Sequence, residues 1–320
     1  MLRLHNADPR VRKKVKKRVA QRKKNKKSKT PYERPSTPNA KDRPLMVGRA
    51  SLHDPTIRQP QAAKDGIVPK VPFRLLLSGA SGSGKTNVAR WILEKHYVSG
   101  HGSFFKDIYL MSPTALIDPV WKNVKGLKRQ NRITNPNADS LNRILRKARE
   151  NVKHKGKERG SHTLIIFDDV IAGTQFMNSP EFLAAFIRGR HFLVSVAIMT
   201  QSYVKIPRSS RIQASHIIFF PSQATEVDRL YSEHGPHNLS KRQFHELVQE
   251  ATEPNQHEKW PFLYVDRFAP LERRFRRNLD IPLTITNRNA SKRKAEPGRL
   301  YRGGAGNDEE VESGPLRGGL

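Results

Sequence analysis

Residues 79–86, Gly-Ala-Ser-Gly-Ser-Gly-Lys-Thr, constrain this chain more than any other stretch. Gly79, Gly84, Lys85 and Thr86 fit G-x-x-x-x-G-K-[ST], the pattern of a phosphate-binding loop. The apolar residues 75–77 lead into it as a short strand. Residues 87–97 follow as a helix, with Val88, Trp91 and Ile92 at core-facing spacing. Ala80, Ser81, Gly82 and Ser83 between the motif positions are all small. That matters because consecutive backbone N–H groups wrap phosphates only where bulky side chains do not intrude. The helix N-terminus adds partial positive charge at the same place. In such a loop Lys85 reaches the β- and γ-phosphates and Thr86 holds Mg²⁺. The bland alternative is a Gly/Ser-rich turn between a strand and a helix.

The charge is the next constraint. The 320 residues carry 60 Lys/Arg against 29 Asp/Glu, a formal charge of +31. Such an excess calls for a polyanionic partner, nucleic acid first and an acidic membrane surface second. Residues 1–29 hold fourteen Lys/Arg against Asp8, so +13 lies there and +18 in the rest. With Pro31, Pro35, Pro38 and Pro44 after it, the stretch 1–66 reads as a disordered basic tail and linker. Its functional readings are a nucleic-acid-binding arm or a nuclear localisation signal; the alternative is a solubilising tail. Residues 287–320 read as a second disordered tail, ending in the acids Asp308, Glu309, Glu310 and Glu312. There are no cysteines, which excludes disulfides, thiol catalysis and cysteine-ligated zinc. The twelve histidines form no H-E-x-x-H pattern. No apolar run approaches membrane-spanning length and no signal-peptide core is visible, so a soluble intracellular protein is expected.

Between the tails, residues 67–286 alternate apolar runs with helical patterns. Strands are expected at 73–78, 107–111, 163–169, 191–199, 216–220, 260–268 and 272–283, the last two as terminal strands that could pair in a hairpin. Helices are expected at 117–124, 138–152, 180–188, 224–233 and 241–252. This alternation argues for an α/β fold with a mostly parallel central sheet and helices on both faces. From Lys122 to Arg159 thirteen basic residues face three acids, either a DNA-contacting insertion or a solvated face.

Three further features turn the loop into a candidate reaction site. In Leu-Ile-Ile-Phe-Asp-Asp (164–169), four apolar residues precede two acids. Asp168 therefore falls at the C-terminal end of a buried strand, where open α/β sheets bind ligands. It fits a Mg²⁺-binding role, and Asp169 then stands where a group could orient or deprotonate the attacking water. Gln201 ends the apolar run 194–200, where an amide could sense the γ-phosphate or the water. Arginines at 188, 190, 208 and 211 flank that run. One supplied by a neighbouring subunit would stabilise charge during phosphoryl transfer; each taken singly reads equally well as a surface residue.

The ordered set is specific. It comprises residues 79–86, Leu-Ile-Ile-Phe-Asp-Asp, Gly-Arg-His (189–191), Ser-Val-Ala-Ile-Met-Thr-Gln-Ser-Tyr, Lys-Ile-Pro-Arg (205–208) and Ala-Ser-His-Ile-Ile-Phe-Phe (214–220). It resembles the poxvirus-type genome-packaging ATPases of large and mid-sized DNA viruses, a branch of the FtsK/HerA superfamily, over roughly residues 71–270. The resemblance implies a RecA-like P-loop NTPase of ASCE type that binds ATP and Mg²⁺. It also implies a homo-oligomeric ring, often a hexamer, that drives double-stranded DNA into a preformed capsid. Capsid portal or vertex proteins would be partners, in the nucleus or a cytoplasmic virus factory of an infected cell, or in the virion. The family roles fall on Lys85 and Thr86, on Asp168 and Asp169, and on Gln201. Arg190 is the first candidate for the trans-acting arginine and Arg211 the second. Asp169 replaces the superfamily's usual Glu. A helicase or segregation motor of the same superfamily is the nearest alternative, and a DNA-condensing virion protein with slow or absent hydrolysis is the alternative from another class.

Overall fold

The computed structural model describes residues 54–99, 102–170, 174–256 and 258–283. The basic run at 10–29, the proline-rich linker and the acidic tail lie outside these residues.

Among the described residues nine strands form one sheet. They are β1 (Arg74–Ser78), β2 (Asp107–Met111), β3 (Arg132–Ile133), β4 (Thr163–Asp168), β5 (Val194–Thr200), β6 (His216–Phe219), β7 (Leu263–Asp266), β8 (Phe275–Arg277) and β9 (Ile281–Pro282). Across the sheet the order is β9-β8-β7-β6-β1-β5-β4-β2-β3. From β6 to β3 every neighbour is parallel; β7, β8 and β9 add an antiparallel flank. All residues of β4 and β5 are buried. Parallel strands covered on both faces need apolar side chains on both, so Leu-Ile-Ile-Phe and Val-Ser-Val-Ala-Ile-Met are nearly continuous apolar runs rather than alternating ones.

Two cores sit on the two faces. On one, α1 (Lys85–His96) packs Val88, Ile92 and Leu93 against Leu75, Leu77 and Ile166. On the other, α2 (Ala138–Arg159), α3 (Pro180–Arg188), α4 (Ala224–His234) and α5 (Lys241–Thr252) cover Leu76, Ile165, Phe167 and Ile198. Burying each such side chain contributes about 1.5–3 kcal/mol relative to exposure. Local signals set the helix starts. Ser179 Oγ accepts from Phe182 N–H at 3.2 Å with Pro180 in the first turn of α3. Ser240 and Gln243 form a capping box at the start of α5.

Several boundaries differ from the sequence expectation. The folded unit does not begin at residue 67. Ile57 and Ala63 are buried, and Gln59 exchanges two hydrogen bonds with the Val71 backbone at 2.6 and 2.8 Å. Few apolar residues among prolines and charges hid this strap in the sequence. The helix expected at 117–124 is a short 3₁₀ turn, Pro119–Trp121, because Asp118 caps Val120 N–H and the chain turns again at once. α2 continues past 152 to Arg159, with a break in helical geometry at Gly156. The strand expected from 191 starts at Val194, after a 3₁₀ turn (Gly189–Phe192) and Leu193 in a left-handed conformation. The strand expected over 260–268 is confined to β7.

Candidate active site

Strand β5 lies between β1 and β4 in register. Ser78 pairs with Thr200 and Asp168 with Met199, so the C-terminal ends of the three strands are level. Gly79, Asp169 and Gln201 therefore leave the same edge of the sheet. Gly79 N–H donates to Thr200 O and Asp169 N–H to Met199 O, each at 3.2 Å, which ties the three exits together.

The loop between β1 and α1 is fixed at both ends by aromatic neighbours. A Cβ on Gly79 would lie 2.5 Å from Phe220 Cβ. Gly84 has φ +93° and its Cα faces the Trp260 indole, so a side chain there would collide with the ring. Lys85 is buried, and its ammonium donates to Gly79 O at 2.8 Å and Ala80 O at 2.7 Å. Burial lowers the Lys85 pKa, and the nearby Asp168 and Asp169 oppose that shift.

A cavity of about 250 Å³ opens beside this loop, lined on that side by Ser81, Gly82, Gly84, Lys85, Thr86 and Asn87. Asp168, Asp169, Met199 and Gln201 form the facing wall, and Thr114, Asp118 and Val120 a third. Asp168 is buried, and Trp121 Nε1–H donates to its Oδ2 at 2.9 Å. Burial first, with Asp118 and Asp169 adding to it and the indole bond and Lys85 pulling the other way, raises the Asp168 carboxyl to about 6. Asp169 is exposed, with φ +52°. That left-handed turn at a non-glycine residue swings its side chain out of the strand course. Gln201 Nε2 donates to Asp169 Oδ2 at 2.9 Å.

The sequence-derived residues thus converge, apart from the arginines. Neither Arg190 nor Arg211 lines the cavity. Arg190 is exposed in the turn before β5, at the other end of a strand that spans roughly 20 Å. Among the described residues its guanidinium makes no hydrogen bond or ion pair. Arg211 corrects the expectation. It is buried, its Nε and Nη2 grip the Glu233 carboxylate at 2.6–3.2 Å, and its Nη1 donates to the carbonyls of Val204 and Ile206. Those bonds hold its guanidinium in a buried ion pair, away from the cavity. Sequence reasoning missed Trp121, Asp118 and Thr114. Asp118-Pro119 signals a turn, but nothing local places Trp121 on an acid 47 residues away.

A larger groove of about 900 Å³ shares no lining residue with this cavity. It runs between α2 and α3, with Arg143, Arg146, Arg149 and Arg188 around Leu145 and Ile187. Among the described residues, no cluster of three or more His, Asp or Glu is placed to hold a metal by itself. No described helix is long and apolar enough to cross a membrane.

Comparison with known proteins follows the same stretch. DNA packaging protein OPG160 of vaccinia virus (strain Copenhagen) is 25% identical over 182 residues, covering 54% of this chain and 62% of the vaccinia protein. The variola virus protein of that name is 26% identical over 170 residues, 50% of this chain and 57% of the relative. The match thus spans less than two thirds of either relative. Among solved structures, the genome packaging NTPase B204 of Sulfolobus turreted icosahedral virus 2 in complex with AMP aligns at a TM-score of 0.44 and 15% identity, over 66% of this chain and 98% of that one. The family model described as Poxvirus A32 protein matches residues 64–256, a stretch that contains the whole phosphate loop, both strand-end acids and Gln201. The chain belongs to the poxvirus A32 protein family.

Proposed function

We propose that this chain is an ATP-hydrolysing motor that moves double-stranded viral DNA into a capsid. The observation that carries the reading is the convergence of Lys85, Thr86, Asp168, Asp169 and Gln201 on one cavity at the strand ends. The relatives named as DNA packaging proteins and the charge of +31 support the DNA half of it.

The loop N–H groups and Lys85 would bind the triphosphate, Lys85 exchanging two backbone carbonyls for phosphate oxygens. Thr86 and Asp168 fit Mg²⁺. They offer a hydroxyl and a carboxylate, the hard oxygen donors that ion takes, and a cation would hold the buried carboxyl in its charged form. When bound, Mg²⁺ would neutralise charge on the β- and γ-phosphates. Asp169 would accept a proton from the attacking water, with Gln201 Nε2 fixing the carboxylate. Arg190 would serve the nucleotide of a neighbouring subunit in a ring, since it lies far from its own cavity. Capsid portal or vertex proteins would dock that ring. Contacts to DNA phosphates carry no sequence information, so the motor would act on any duplex and weaken with salt.

The test is ATP hydrolysis by the full chain with and without duplex DNA, beside Lys85→Ala. The reading requires DNA-stimulated hydrolysis that Lys85→Ala abolishes. Equal, DNA-independent turnover by both proteins overturns it and leaves a DNA-condensing protein.

A further inference from the structure

We infer that the Trp260 indole is the platform on which the nucleotide's purine base stacks, an assignment that rests on the ATP-binding reading above. The cavity holds one end of a nucleotide. Its acids and Gln201 mark the γ-phosphate end, so the ribose and base must leave past the other end of the loop. A volume of about 250 Å³ suits a triphosphate and leaves the base outside it. At Gly84 the neighbour is Trp260, which lies outside the lining that the acids and Gln201 share with the loop.

The ring presents a face there. A Cβ on Gly84 would meet Trp260 Cγ, Cδ1 and Cδ2 almost equally, which happens above an indole plane and not at its edge. That face is covered by Gly84; the ring as a whole is only half-buried, and the exposed Lys259 ammonium stands 4.9 Å from a ring centroid, so the π-surface that Gly84 does not cover is open to an outside group. A purine would take that surface, and Lys259 would move to the ribose or α-phosphate side.

The platform is also held still. Arg277 donates to Glu250 O and Glu253 O at 2.7 Å and grips the Glu258 carboxylate; Asn278 donates to the same carboxylate at 2.8 Å. Phe262, two residues on, packs on Phe220, the residue that backs Gly79. The segment carrying Trp260 is thus braced to the sheet. Stacking alone recognises a flat aromatic base and not a pattern of donors and acceptors, so purines should exceed pyrimidines and ATP should not strongly exceed GTP.

Calorimetric titration of the full chain with MgATP, MgGTP, MgCTP and magnesium tripolyphosphate tests this. Trp260→Leu keeps apolar packing on Gly84 and removes the stacking face; Trp260→Phe keeps a smaller one. Trp260→Leu should bind ATP and GTP about tenfold or more weakly, with tripolyphosphate unchanged, and Trp260→Phe should recover most of the loss. Unchanged ATP binding by Trp260→Leu overturns the assignment. So does an equal loss of ATP and tripolyphosphate, which would make Trp260 a brace for the loop. Lys85→Ala separates the two readings: if it leaves ATP and tripolyphosphate binding intact, the nucleotide site itself is misassigned.

Discussion

Gln201 Nε2 donates to Asp169 Oδ2 at 2.9 Å, linking the ends of two adjacent parallel strands across the mouth of the cavity. The amide leaves the other carboxylate oxygen free to accept a proton from water. Asp169→Asn should therefore lower hydrolysis by about 10²–10⁴-fold while ATP binding stays near wild type. Gln201→Ala loosens the carboxylate without removing it, so its loss should be smaller. Single-turnover hydrolysis beside equilibrium binding checks both. Wild-type turnover in Asp169→Asn would remove it from the reaction.

The Asp168–Trp121 hydrogen bond predicts a pH dependence with a definite sign. Burial raises the Asp168 carboxyl to about 6, and the indole donor pulls the other way. Mg²⁺ requires the ionised form, so Mg²⁺-dependent ATP binding should be full above that value and fall as pH drops through it. Removing the donor raises the pKa further, so Trp121→Phe should shift the falling limb to higher pH. Binding profiles from pH 5 to 8 read this directly. A profile that does not move would mean that Trp121 only fills space.

The sequence carried the strand-end acids and the loop because each is a local pattern. An apolar run that ends in Asp168-Asp169 can place those acids only at a strand exit, and Gly79 to Thr86 is contiguous. It carried the parallel core for the same reason: β4 and β5 are apolar at nearly every position. What it could not carry depends on contacts between distant segments. Trp121 reaches Asp168 from a turn that looked like a weak helix. Gln59 holds Val71 from a stretch that looked like linker. Arg211 and Arg190 look alike in sequence, both beside an apolar run. Only the packing of Glu233 on α4 shows that the first is sealed inside the subunit.

That packing predicts separate phenotypes. The Arg211 and Glu233 side chains are 6% and 4% exposed, and Tyr203 Oη–H also donates to Glu233 at 3.0 Å. Arg211→Ala strands a buried carboxylate, so unfolding free energy should fall by about 3–5 kcal/mol. Glu233→Gln with Arg211→Met, which removes both charges, should restore much of it. Denaturant melts of the single and double variants make the comparison. A stable Arg211→Ala protein that hydrolyses nothing would return Arg211 to the catalytic candidates.

Arg190 should behave in the opposite way. It is exposed, it sits before β5 while the cavity opens after it, and removing it breaks no ion pair of the described residues. Arg190→Ala should melt like wild type and bind ATP like wild type. Hydrolysis should fall by about 10³-fold or more if its guanidinium completes a neighbour's site. Mixing decides whether it acts across an interface. In a ring of Lys85→Ala and Arg190→Ala subunits, some interfaces pair an intact loop with an intact arginine, so activity should reappear where neither variant has any. If the mixture stays as inactive as its components while each variant still assembles with wild type, the trans role of Arg190 is lost.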